Sequence, residues 1–307
     1  MRNENWKNIS KALEIIFENG NRFRNLPYKF KKDKEIVYAA IRIDPKVLKY
    51  ADESLKKDKS FILQVVGLWS DVLKYVDESL KKDKSVVLNA VKSWGSALKH
   101  AHSSLKNDKS FIIDVVKLTG WSLCYVNESF KKDKSIVFEA VKQDGSAISF
   151  ANKIFKKDKS IVIAAVKSHG TALEYVDKKF KKDKTIVFEA VKSDWSALEF
   201  AHESLKRNRS FVIKVLKKWG SALQHVHKSL RKDKSIVLQA IRQNGSALEF
   251  ADQSLKKDKL IVLKAVNKDS GALKFVDESI KKEIEDKRLS IFQKRLVVNR
   301  KKLNEKR

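Results

Sequence analysis

Cysteine is almost missing from this chain: Cys124 is the only one in 307 residues. An internal disulfide and a cysteine metal cluster are therefore excluded, and a lone thiol is read as a packing residue rather than a nucleophile. Long apolar runs are missing too. No stretch approaches the roughly 18 residues a membrane span requires, and the opening MRNENWKNIS lacks the apolar segment of a signal peptide. These absences predict a soluble, intracellular protein, cytoplasmic or delivered to an organelle or host cell. The composition is uniform, and no segment marks a linker. No Ser–His–Asp constellation, phosphate loop, glycine fingerprint or paired catalytic carboxylate rises above the background. Neither an enzyme nor a cofactor or small-molecule substrate is expected. Disorder is excluded in its turn, because 42% of the residues are hydrophobic.

What the chain has in abundance is lysine in a fixed place. The hexapeptide LKKDKS at residues 80–85 recurs, with small changes, at starts 30, 55, 80, 105, 130, 155, 180, 205, 230 and 255, a period of 25 without insertion. A unit this small cannot bury its own apolar face and must stack on its neighbours. Residues 30–279 are therefore predicted to form a repeat solenoid. Within residues 130–154, Ile136, Val137, Ala140 and Val141 fall on one helical stripe that Phe138 widens. The β-branched content is strand-like, but the apolar pairs with Glu, Ala and Lys between them suit a helix better. Ala147, Ile148, Ala151 and an apolar residue at 154 or 155 give a second helix.

Gly95, Gly120, Gly145, Gly170, Gly220 and Gly245 share one place, where a left-handed residue would end the first helix. Pro45, Ser70, Trp195 and Ser270 replace them elsewhere. The hexapeptide Asp precedes the first helix, where it can cap free N–H groups, with the neighbouring Ser as a rival; Asn208 replaces it once. In the second helix a small position alternates strictly: Ala51, Val76, Ala101, Val126, Ala151, Val176, Ala201, Val226, Ala251, Val276. Phe61, Phe111 and Phe211 occur only in the Val units, each followed by Val65, Val115 or Val215. The unit of duplication is then 25 residues, repeated ten times, or 50 residues, repeated five times.

The string SIVFEAVKQDGSAISFA followed by FKKDKS, with its V-L-x-A-V, x-x-G-x-A-L-x-Y-A and L-K-x-D elements, resembles the helical repeats catalogued as domain of unknown function family 4116. The likeness spans residues 30–279. It implies an α-helical repeat fold and no established activity.

The net charge of +29 is unevenly placed. The four residues after each leading Leu or Phe contribute +20, residues 280–307 contribute +7, residues 1–29 contribute +3, and the remaining helical bodies −1. Stacked repeats would align these turns along one edge, a ridge suited to a polyanion. Lysine-rich loops that only keep the array soluble are the alternative. The predominance of Lys over Arg favours diffuse phosphate contact over reading of bases.

Trp69, Trp94 and Trp219 share the position before the turn, where other units carry Asp or another polar residue. They are expected to be exposed and either to stack bases or to cover a neighbouring turn. His100 with His102, and His225 with His227, point apart on a helix and cannot share a metal. Residues 1–29, with Leu13, Ile15, Ile16 and Phe17 before Asn19-Gly20, read as an N-terminal cap. Residues 280–307 carry Leu289, Phe292, Leu296 and Leu303 at helical spacing and read as a basic capping helix. A basic amphipathic helix for RNA, an anionic membrane or a partner groove is the alternative.

The sequence thus predicts an all-α solenoid of short helix pairs with N- and C-terminal capping segments. Its expected function is that of a non-enzymatic scaffold docking RNA or DNA. Lys81, Lys82, Lys84, Lys131, Lys132, Lys134, Lys206, Arg207 and Arg209 are the phosphate candidates, with Trp69 and Trp94 for stacking. The competing class is a protein–protein adaptor using the concave helical surface, with the charge serving solubility or an acidic partner.

Overall fold

The computed structural model describes residues 12, 14, 16, 17 and 20–286. All of its regular structure there is helical, as the periodicity requires. Residue contacts divide the chain into two compact units, Met1–Ser168 and His169–Arg307, both built on the same repeat. Within each unit the long helix of one repeat packs against those of the adjacent repeats, as Lys134–Gln143 does against Lys109–Leu118 and Lys159–Ser168.

Each repeat holds three helical pieces, one more than the spacing predicts. The hexapeptide opens as a single turn, Phe130–Lys132 in one repeat and Glu78–Lys81 in another. A ten-residue α-helix follows, Lys134–Gln143, and then the segment Gly145–Ser149. This last piece is a 3-10 helix, closed by the bonds Ala147 N–H to Asp144 O (3.0 Å) and Ala151 N–H to Ile148 O (3.2 Å). So short a segment gains little from α propagation, and the tighter i→i+3 winding suits short pieces.

The stripe Ile136, Val137, Ala140 and Val141 is fully buried, and so are its equivalents in the other repeats. Phe138 does not widen it: this ring is 37% exposed. At the ambiguous place Phe155 is buried and Ile154 is exposed. The Asp cap is real. Asp133 Oδ1 accepts from the Ser135 and Ile136 N–H groups (2.9 and 3.3 Å). Ser135 is not a rival, since its hydroxyl donates to the same carboxylate (2.6 Å). Asn208 caps in the same way through Phe211 N–H (3.0 Å).

The turn glycines have a different cause from the one expected. No described residue has a positive φ. A Cβ on Gly120 would lie 2.3 Å from the carbonyl oxygen of Ala140, and one on Gly170 would lie 2.2 Å from that of Ala190; Gly220 and Gly245 face Ala240 and Ala265 in the same way. Glycine is needed because the long helix of the next repeat ends against it. Gly95 differs, since a Cβ there would meet the Ser122 hydroxyl (2.6 Å) rather than a helix carbonyl, and Pro45, Ser70 and Trp195 stand at this place in other repeats.

At the ends, Ala12 and Ile16 are buried while Phe17 is 68% exposed; Leu13, Ile15 and Asn19 lie outside the described residues. A helix runs over 278–286 and buries Ile284. The remainder of the expected C-terminal helix, with Leu289, Phe292, Leu296 and Leu303, also lies outside them. No helix among the described residues is long and apolar enough to cross a membrane.

Candidate polyanion interface

Consecutive hexapeptide turns are tied to one another by backbone. The Lys81 carbonyl accepts from His102 N–H (3.1 Å) and the Lys131 carbonyl from Asn152 N–H (3.1 Å), with equivalents at Lys31 and Lys56 in the first unit. In the second unit Lys181, Lys206, Arg231 and Lys256 accept from His202, His227, Asp252 and Asp277. Equivalent turns are therefore adjacent within each unit. The three cations of each turn differ sharply in surroundings.

The first cation is inward and engaged. Lys81 and Lys131 keep 15% and 16% of their side chains exposed and bind Glu78 and Glu128 (2.7 Å each). Lys206 binds Glu203 (3.2 Å). Elsewhere this ammonium donates to the carbonyl seven residues back, Lys106 to Lys99 O (3.3 Å) and Lys156 to Ser149 O (2.9 Å), satisfying the end of the 3-10 helix. Burial pushes Lys156 and Lys181 below the usual lysine range.

The third cation reaches forward to the capping Asp of the next turn. Lys34, Lys59, Lys84, Lys109 and Lys134 bind Asp58, Asp83, Asp108, Asp133 and Asp158 at 2.6–2.7 Å. In the second unit Arg209 binds Asp233 and Lys234 binds Asp258 (2.6 Å). The hydrogen bond from Lys109, with that from Ser135, holds the Asp133 carboxyl down to about 2. Each Asp thus caps one helix and anchors the preceding repeat. Asn208 replaces the Asp that follows Lys184 by 24 residues, and this rung has no ion pair among the described residues.

The second cation is exposed. Lys232 and Lys257 lie 3.8 and 3.6 Å from Asp252 and Asp277, the caps of the next turn's short helix. At the equivalent places Lys82 precedes His102, Lys132 precedes Asn152, and Arg207 precedes His227, so no acid answers them. These histidines cap through Nδ1: His102 accepts from Ser104 N–H (3.1 Å) and His227 from Ser229 N–H (3.2 Å). Among the described residues no group of three or more metal-ligating side chains forms.

Of the stacking candidates, Trp69 and Trp94 are 39% and 45% exposed, but each indole N–H is tied to the preceding repeat, at Ile41 O (2.9 Å) and Gly67 O (3.2 Å). Trp94 stands at the far end of the ten-residue helix Lys84–Ser93, about 15 Å from the hexapeptide at 1.5 Å per residue, and Trp69 follows the shorter helix Lys59–Val65 and its turn. Within each unit the fold therefore gathers the candidate cations on one edge, and in the first unit it leaves these tryptophans off it.

A cluster the sequence reading missed lies beside that edge. Trp121 makes edge-to-face contacts with Tyr125 (5.3 Å) and with Phe150 of the next repeat (5.8 Å), and the Lys99 ammonium lies 4.6 Å from the centre of the Tyr125 ring. The available signal was that Trp121 stands where other repeats carry Ser96, Ser146, Thr171, Ser196, Ser221 and Ser246. Burial raises the thiol of Cys124, as expected of a packing residue.

The family model described as Domain of unknown function (DUF4116) matches residues 9–56, 58–106, 83–127, 108–156, 158–206 and 208–256. Each match spans about two of the 25-residue units, and five of them follow one another in steps of about 50. No curated protein and no solved structure matches the chain.

Proposed function

The chain belongs to that family, whose description assigns no activity, and from its own charge pattern we propose a non-enzymatic binding scaffold that docks RNA or DNA along the hexapeptide edge. The observation that carries this reading is the set of exposed second cations, among which Lys82 and Lys132 in the first unit and Arg207 in the second have a His or Asn cap, and no acid, at the equivalent place. A charge pattern made only for solubility would be served equally well by paired and unpaired cations. Helix layers are spaced by roughly 8–10 Å, and duplex DNA offers one negative charge per roughly 1.7 Å, so each layer has phosphates within reach. Contact of this kind is indifferent to base sequence. The Ser104 and Ser229 hydroxyls on this edge lie 2.8 Å from Nδ1 of His102 and His227, nitrogens that already accept a helix-capping N–H, and binding is the chemistry the exposed cations support.

Titration of a nonspecific 30-mer against salt tests the proposal. With six to ten phosphates neutralised, affinity falls by about 10³ to 10⁵ between 50 and 200 mM salt. No binding at low salt would overturn the polyanion reading and favour the protein adaptor.

A further inference from the structure

We propose that Trp121, Tyr125 and Phe150, with Lys99 beside them, form a platform on which unpaired bases stack, so that the ligand is single-stranded nucleic acid. This rests on the polyanion reading and narrows it. The cluster joins two consecutive repeats: Trp121 and Tyr125 come from the 3-10 helix Gly120–Tyr125, and Phe150 follows the 3-10 helix Gly145–Ser149. Interplanar angles of 77° and 85° wedge the indole between its two neighbours, yet it remains 44% exposed. A large ring held still and left open is what a stacking partner requires, because little side-chain entropy is lost when a base covers it.

A cation lies at the same place. The Lys99 ammonium lies over the Tyr125 ring, 4.6 Å from its centre. The pattern continues along the first unit, where Lys49 lies 5.8 Å from the centre of Tyr50 and Lys74 lies 5.6 Å from that of Tyr75. The carbonyls of Lys49 and Lys99, at the ends of these 3-10 helices, accept from hexapeptide lysines Lys56 and Lys106, so the aromatic line adjoins the cationic edge. A strand whose phosphates follow the lysines can turn its bases toward the rings. A duplex cannot, since its bases already stack on one another.

The full chain is titrated with a labelled 30-nucleotide single strand and with a 30-base-pair duplex at the same salt, reading anisotropy. The single strand is expected to bind more tightly. Trp121→Ala should weaken it by about 5- to 150-fold, the effect of losing one stacked base, and leave duplex binding unchanged. Trp94→Ala, which removes an indole away from the edge, should change neither. If both nucleic acids bind and the duplex binds as tightly as the single strand, or if folded Trp121→Ala keeps full single-strand affinity, the platform is wrong and the scaffold reading stands. If neither binds, the scaffold reading itself falls.

Discussion

Lys82 and Lys84 stand two residues apart on one turn, yet the rows they belong to are built differently. The row of Lys59, Lys84, Lys109 and Lys134 is a ladder of ion pairs, each rung closed by the Asp that also caps the next helix. The row of Lys82 and Lys132 is open, because His102 and Asn152 stand where other repeats carry Asp. Summed charge conceals this division. Of the three cations in a turn, one closes a 3-10 helix or binds a Glu, one ties two repeats together, and one stays exposed. The basic hexapeptide thus serves the fold and the proposed function with different atoms.

The strongest way to break this comparison is to remove each row without changing the other. Lys82→Ala with Lys132→Ala takes two open cations away. The slope of log affinity against log salt should become shallower by about 1.4 to 1.8, at 0.7 to 0.9 for each lost phosphate contact, with the melting temperature unchanged. Lys134→Met with Asp158→Asn erases one rung at constant net charge and keeps a capping side chain. Its salt slope should match the parent's. An equal loss of slope in both variants would show that the rows are interchangeable.

Acid sharpens the comparison, because every rung of the ladder is closed by a carboxylate and the places opposite Lys82 and Lys132 hold none. The folded Asp133 carboxyl sits at about 2, held there by Lys109 and Ser135, against about 3.9 in an unfolded chain. The folded value is the depressed one, so the unfolded state binds more protons. Stability from this rung is complete above about pH 4 and is lost as the pH falls toward 2. Asp58 and Asp158 are depressed in the same direction, each first by its lysine partner. Thermal melting of the full chain should decline between pH 4 and 2 as these carboxylates protonate, in addition to the loss below about pH 6.5 from His100 and His225, whose folded values burial lowers. Asp133→Asn with Asp158→Asn should flatten that decline, whereas the open-row double variant should not.

The features legible in the sequence were those whose cause is local. Asp133 caps the helix that starts one residue later, and the exchange for Asn208 was enough to identify the role. The buried stripe of Ile136, Val137, Ala140 and Val141 followed from its spacing alone. The 3-10 winding of Gly145–Ser149 did not, since Ala147, Ile148 and Ala151 have the same spacing in either helix type, and the choice lies in which carbonyl each N–H reaches. Gly120 was assigned a strained φ because its true constraint, the Ala140 carbonyl, lies 20 residues on in the next repeat. The division of the lysines was hidden for the same reason, the partner of Lys134 being Asp158. Trp121 shares no repeat position with Trp69, Trp94 and Trp219, and its only mark in the sequence is that it replaces the Ser or Thr of most other repeats.

The smallest effect separates the two duties of a single ladder residue. Asp133 caps Lys134–Gln143 through Ser135 and Ile136, and its second oxygen binds Lys109. Asn208 performs only the first duty, accepting from Phe211 N–H while Lys184 goes without an acid. Asp133→Asn should therefore cost only what an exposed ion pair contributes, about 0 to 1 kcal/mol. Asp133→Ala loses the cap as well and should cost about 0.5 to 2 kcal/mol more. Lys109→Met keeps the cap and should resemble Asp133→Asn. Denaturant melts of the three variants read the order directly. Equal losses for Asn and Ala would mean that the carboxylate matters for its charge and not for the N–H groups it accepts from, and the ladder would then be the main support of the turn.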